Sequence, residues 1–336
     1  MADSITTPEA LSAAAALPRR HLASAHIAGA GFPLKVPRSF VARMTPGDRR
    51  DPLLRQVLPT AAELASVPGF GPDPVGEHAL ARAPGLLQKY QGRALLITTA
   101  ACAVHCRYCF RRAFPYSEQS AAPARLRAAL TEIAADESLE EIILSGGDPL
   151  SLSNSRLTAL TDSLSAIAHV RRLRVHTRTP VVLPSRIDAG CIAWLQGLKL
   201  PTVLVLHANH PNEIDAEVLA VCARLRTTGV TLLNQSVLLR GVNDAVPVLA
   251  QLSRRLFGAG VLPYYLHALD PVSGAAHFAV ADRRARRLLG ELAAQLPGYL
   301  VPRLVREIQG APAKVHLAPL RSVPRAASHG GSARGC

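Results

Sequence analysis

The chain has 336 residues, 49% hydrophobic and 18% charged, with 23 glycines and 26 prolines, a balance that excludes a disordered chain. No apolar run approaches the ~20 residues a membrane-spanning helix needs, so no membrane partner is expected. The formal net charge of +14 is carried by arginine rather than lysine, and with aromatics at only 4% it reads as solvated compositional charge, not as a nucleic-acid surface.

The opening Met-Ala-Asp-Ser has no basic stretch ahead of an apolar one, so no secretory signal is expected and a cytoplasmic location is. Residues 1–88 are rich in Ala and Pro, with Pro8–Leu17 and Thr60–Ala65 reading as short helices, and are expected to form a mostly helical cap. From Arg93 a regular alternation begins. Apolar runs at Ala94–Thr98, Glu141–Leu144, Leu173–His176, Thr202–His207, Val230–Leu239, Val261–Leu266 and Tyr299–Val305 read as strands. Between them, helical periodicity covers Ala121–Ala135, Ser153–Ala168, Ala189–Leu195, Asn212–Thr227, Ala245–Phe257 and Asp282–Leu296. Strand–helix alternation of this kind predicts an α/β fold, a partial parallel (β/α)6-type barrel over residues 89–316 with an N-terminal helical extension. Residues 317–336 read as a flexible tail. The cluster Arg283, Arg284, Arg286 and Arg287 falls on one face of the last helix and reads as solvated.

Six cysteines occur. Cys191 and Cys222 lie in helical patterns and read as inert core residues, and Cys336 ends the tail. The other three form Cys102-Ala-Val-His-Cys106-Arg-Tyr-Cys109, directly after the first barrel strand. Close thiols in a chain without a secretory signal indicate metal or redox chemistry, and thiolates suit zinc or iron–sulfur clusters. Three thiols leave one corner of a four-iron cluster without a protein ligand; His105 as a fourth ligand would give a zinc site instead.

The second strand runs into Ser145-Gly146-Gly147-Asp148-Pro149, where glycines admit a close ligand and a carboxylate can take an ammonium. Lys314 follows the last strand, on the rim where barrel enzymes build their sites, and lysine is the residue that binds carbonyl cofactors. Lys35, Lys89 and Lys199 lie ahead of strands or in the N-terminal segment, poor places for chemistry.

The Cys-x3-Cys-x2-Cys spacing with Tyr108 before the last thiol, and the glycine motif one strand later, resemble the radical S-adenosylmethionine enzymes. From Tyr90 to Lys314 the chain resembles more narrowly the lysine 2,3-aminomutase family. The matching stretches are Tyr90–Arg93, Cys102–Arg112, Ser145–Leu150, His207–Glu213, Asn234–Asp244 and Tyr264–Phe278. The compact bacterial branch that makes (R)-β-lysine for elongation factor P is the nearest in kind.

The resemblance implies a radical SAM barrel, a [4Fe-4S] cluster on Cys102, Cys106 and Cys109, S-adenosylmethionine, and pyridoxal 5'-phosphate. Gly146, Gly147, Asp148, His207 and Gln235 are implied to contact S-adenosylmethionine. Lys314 matches the catalytic lysine that binds pyridoxal phosphate, with Tyr90 packing on the cofactor and Arg93 on its phosphate. Arg111 matches the residue for the substrate α-carboxylate, and Asp270 and Glu307 match two acids for its distal ammonium. The second acid is commonly Asp in the family, so Glu307 departs from the pattern by one methylene. Two buried acids repel each other unless a cation joins them, which favours L-lysine over glutamate as substrate. The implied reaction moves the amino group from C2 to C3, giving β-lysine, with an electron donor such as flavodoxin or ferredoxin and with self-association left open. The competing readings are an aminomutase for glutamate or arginine, and a metal-stabilised basic nucleic-acid-binding protein.

Overall fold

The computed structural model describes residues 4–18, 22–116 and 123–320. The expected tail falls almost wholly outside them. Near the N-terminus β1 (Ser4–Ile5) and β2 (Val36–Pro37) pair antiparallel. All other strands join one sheet: β3 (Ala81–Ala83), β4 (Leu86–Tyr90), β5 (Arg93–Thr99), β6 (Glu141–Gly146), β7 (Arg172–Thr177), β8 (Thr202–His207), β9 (Thr231–Leu238), β10 (Leu262–Ala268), β11 (Arg303–Arg306) and β12 (Val315–His316), in sequence order across the sheet. Strands β5 to β11 are all parallel, while β3, β4 and β12 add antiparallel edges. The two edges do not pair with each other, so the barrel stays open.

Each parallel crossover carries a helix: Pro123–Ala135, Asn154–Ser165, Ala189–Gln196, Ala216–Arg226, Val246–Gly258 and Asp282–Ala293. Parallel strands need such crossovers, because a tight turn cannot bring the chain back in the same direction. Several start on a side-chain cap, as where Asp188 accepts from the Cys191 N–H at 2.7 Å and Asp215 from the Val218 N–H at 2.9 Å. In the last helix Ala285, Leu288, Leu289 and Leu292 are buried and Arg283, Arg284 and Arg287 face solvent, the amphipathic division its spacing predicts.

The strands alternate. Leu173 and Val175 of β7 are buried against the helices with Leu144, Leu204, Leu157 and Leu195, whereas Arg174 and His176 point the other way. An all-parallel sheet covered by helices on both faces reads as a continuous apolar run. Polar residues at alternate positions therefore mark an inner face that encloses a cavity.

The N-terminal segment differs from a plain helical cap. The expected boundary at residue 88 falls inside β4, and β3 and β4 extend the sheet. Thr60–Ala65 forms only a 3-10 turn at Ala61–Leu64, while an unforeseen helix spans Leu22–Gly31. Its own core, built on Leu11, Leu34, Phe40, Leu53 and Leu54, takes in Ala103 and Val104 of the cysteine loop. The segment packs onto that loop rather than simply closing the barrel.

Candidate active site

Every residue expected at the site lines one cavity of about 630 Å³ against the inner face of the sheet. The thiol loop forms one side. It is held from the N-terminal segment: the Lys35 ammonium donates to the Cys102 carbonyl at 2.7 Å, and the Arg107 N–H to the Gln56 carbonyl at 2.8 Å. Arg107, fully buried, grips Glu63 through Nε at 2.9 Å and Nη2 at 2.5 Å. Behind the loop lies a second buried pair, Arg178 on Glu213 at 3.0 Å. Arg178 also donates to Cys106 Sγ at 2.7 Å and to the Tyr108 hydroxyl at 2.6 Å.

The donor set fits an iron–sulfur cluster. Burial pushes the Cys102 thiol well up and, with the Cys106 charge beside it, the Cys109 thiol to about 11. A metal would reverse this, because a coordinating thiol is deprotonated. Among the described residues no group of three or more His, Cys, Asp or Glu is placed to hold a single metal ion. A multi-iron cluster takes one thiol per corner, so thiols spread along a loop suit it. His105, the proposed fourth zinc ligand, stacks on Phe32 and binds the Pro33 carbonyl through Nδ1 at 2.9 Å, committed to the N-terminal segment.

The glycine motif has a different physical reason from the one expected. Gly146 has φ +115°, and a Cβ there would meet the Thr99 carbonyl oxygen at 2.8 Å. At Gly147 a Cβ would run into the Ala101 carbonyl oxygen and meet the Ala100 carbonyl carbon at 2.8 Å. The glycines thus admit the backbone that leads into the thiol loop. Asp148 is equally committed: Oδ1 accepts from the Leu150 N–H at 3.0 Å and the Thr177 hydroxyl at 2.6 Å, and Oδ2 from the Arg178 and Thr179 N–H groups at 2.8 and 3.0 Å. It braces two strand ends while lining the cavity. His207 and Gln235 are register neighbours on β8 and β9. Burial holds His207 neutral, and its Nε2 meets the Tyr108 hydroxyl at 3.0 Å. The Gln235 amide makes no side-chain hydrogen bond among the described residues and faces the cavity.

On the other side, the turn Gln91–Gly92, with Gly92 at φ +74°, sets Tyr90 directly opposite Arg93, whose guanidinium lies 4.8 Å from the ring centroid. Arg93 has no hydrogen-bond or ion-pair partner for its side chain among the described residues, so a cation is free beside the cavity. Lys314 sits over the Tyr265 ring, and burial depresses its ammonium to about 8. An amine near an unpaired guanidinium fits a phosphorylated aldehyde.

The substrate residues are arranged less simply than expected. Arg111 is not free: Nε and Nη2 donate to Glu77 at 2.7 and 2.5 Å, and Nη1 to the Ser145 hydroxyl at 3.0 Å. Glu307 is taken by Lys314, by the Tyr90 hydroxyl and by Lys89, the last at 2.7 Å. Asp270 alone keeps a buried carboxylate oxygen, Oδ1, without a partner, and burial pushes its carboxyl up to about 6. The picture of two open acids becomes one open acid.

Lys89 and Glu77 line the same cavity, as do His176 and His267, whose Nε2 atoms are buried without partners. Burial, aided by the Lys314 charge, drives His267 to about 3. The alternation Arg174, His176 on β7, and Tyr265, His267 on β10, was the available signal for the two histidines. For Glu77, in a Pro- and Gly-rich stretch without periodicity, no signal existed.

Residues 96–252 match the model of the Radical SAM superfamily. An L-lysine 2,3-aminomutase of Escherichia coli (strain K12) is 51% identical over 287 residues, covering 85% of this chain and 83% of that protein. One from Haemophilus influenzae is 44% identical, covering 93% and 92%, and one from Clostridium subterminale is 37% identical, covering 83% and 67%. With the thiol loop and Lys314 on one cavity and this level of identity over most of its length, the chain belongs to the L-lysine 2,3-aminomutase family.

Proposed function

We propose that the chain converts L-lysine to β-lysine, using a [4Fe-4S] cluster, S-adenosylmethionine and pyridoxal phosphate. The observation that carries this is the meeting, in one cavity, of the thiol loop and Lys314 with the buried, unpartnered acid Asp270. When bound, these cofactors supply a carbon radical that takes hydrogen and an aldehyde that binds amines covalently.

The remaining work is done by residues of the chain. Cys102, Cys106 and Cys109 hold the cluster, while Gln235 and the neutral His207 offer hydrogen bonds to the nucleoside side. Lys314 provides the amine and Arg93 meets the phosphate with its unpaired fork. Asp270 receives the ammonium of the lysine side chain; a glutamate side chain would bring a second carboxylate against it. Arg111 receives the α-carboxylate once Glu77 yields. The cavity walls hold the substrate in one orientation and keep water away from the reacting carbon.

The resemblance to the compact branch supports delivery of the product to elongation factor P, detectable there as the added mass of a β-lysyl group. The test of the main proposal is anaerobic reconstitution with iron, sulfide and pyridoxal phosphate, then assay with L-lysine, S-adenosylmethionine and a reductant. Chiral chromatography should show β-lysine, and Lys314→Ala should abolish it. Turnover of glutamate or arginine with none of lysine overturns the proposal.

A further inference from the structure

Lys89 has no part in the reading above, yet it lies in the cavity at the point where charge is most crowded. Glu307, immediately after β11, receives Lys314 on Oε1 and both Lys89 and Tyr90 on Oε2. All three charged side chains are largely buried, with exposures of 16% for Lys89, 13% for Glu307 and 22% for Lys314. Two lysines from opposite edges of the sheet thus share one carboxylate.

An isolated Lys314–Glu307 pair would work against an amine that has to react. A carboxylate in contact stabilises the ammonium, and only the neutral amine has the lone pair for attack. Neutralising Lys314 would also strand a buried, uncompensated Glu307. Lys89 removes both difficulties. It keeps Glu307 paired whatever the state of Lys314, and its own positive charge opposes a second ammonium nearby.

We infer that Lys89 is a positioning residue that holds Glu307 as its counter-ion, so that Lys314 can become a neutral amine and condense with an aldehyde. This rests on the reading of Lys314 as the amine that binds pyridoxal phosphate. In the condensation the nitrogen lone pair attacks the aldehyde carbon and a C=N bond replaces C=O. The oxygen leaves as water with the two amine hydrogens, and neither oxidant nor reductant is consumed. The groups around Lys314 agree with this assignment. The Asp270 charge favours its ammonium and Glu307 accepts its hydrogen bond, the charges of Lys89, Arg174 and Arg93 oppose it, and the neutral His267 and Tyr265 flank it.

The test is titration of the imine absorbance band when pyridoxal phosphate is added to the full-length protein over a range of pH. In Lys89→Met the midpoint of imine formation should rise by about one pH unit, equivalent to a tenfold loss of reactive amine below it. Lys89→Arg should restore the original midpoint. The double variant Lys89→Met with Glu307→Gln should bring it back down, because the carboxylate that retains the proton is then gone. A structural role for Lys89 would not be rescued by that second change. A Lys89→Met midpoint equal to that of the unaltered protein, or no reversal in the double variant, overturns the inference. If the unaltered protein forms no imine band at any pH, the reading of Lys314 itself fails.

Discussion

Glu77 and Arg111 face each other through two parallel hydrogen bonds, 2.7 and 2.5 Å long, so that a carboxylate of the protein sits on the guanidinium expected to bind a carboxylate of the substrate. Glu77 follows Gly76, which adopts φ +71°, and its N–H is held by Asp73 at 2.9 Å. The pair is nearly buried, with exposures of 6% and 12%.

Removing one partner should therefore leave a buried charge. Glu77→Gln is expected to lose about 3–5 kcal/mol of folding stability without substrate. Added L-lysine should raise the melting temperature of the variant more than that of the parent, because its carboxylate replaces the missing one. Differential scanning fluorimetry with and without lysine checks both parts.

Asp270 governs a pH dependence. Its carboxyl is raised to about 6, so it is an anion above that pH and neutral below. The kcat/KM for lysine should fall as pH drops through about 6, and Asp270→Asn should lower kcat/KM at least tenfold and abolish that limb. The stability effect has the opposite sign. A raised carboxyl contributes stability that is present below its unfolded value near 4 and lost as pH rises through 6. Asp270→Asn should therefore be more stable than the parent at pH 7 in urea titrations.

Gly147→Ala tests the close approach of the two loops. The new methyl would meet the Ala100 and Ala101 backbone, which has no flexible end to give way. A cost of about 1–3 kcal/mol and a loss of bound iron per chain after reconstitution are expected, read by urea unfolding and iron analysis.

Glu213→Gln tests the buried pair behind the thiol loop. Glu213 Oε1 accepts from the Asn209 and His210 N–H groups at 2.9 and 3.0 Å, while Oε2 holds Arg178 at 3.0 Å. Neutralising it leaves Arg178 uncompensated and should cost about 3–5 kcal/mol by chemical denaturation.

Much of this molecule was legible in the sequence. The first six expected strands match β5 to β10 and the seventh overlaps β11 only from Arg303, its start being a 3-10 turn at Gly298–Leu300; the apolar alternation and the intervening helical periodicity are both local signals. The expected site residues also meet in one cavity, most of them on or after the parallel strands, with Tyr90 on β4 and Lys314 beside β12 at the antiparallel edges. What could not be read was pairing. That Glu77 would saturate Arg111, or that Lys89 and Tyr90 would join Lys314 on Glu307, depends on β3 and β4 wrapping onto the sheet edge through short antiparallel turns. Residues far apart in the chain settle those charges. Asp148 belongs with them: three of its four partners, the Thr177 hydroxyl and the Arg178 and Thr179 N–H groups, come from the end of the next strand.

The thiol loop is pinned from two directions, with Lys35, Gln56 and Glu63 in front and Arg178 behind. A segment so restrained changes shape little when the charge it carries changes. For a cluster held on that loop, such restraint would keep the reorganisation cost of accepting an electron small, which would tie the first sixty or so residues, remote from the chemistry in sequence, to its redox behaviour.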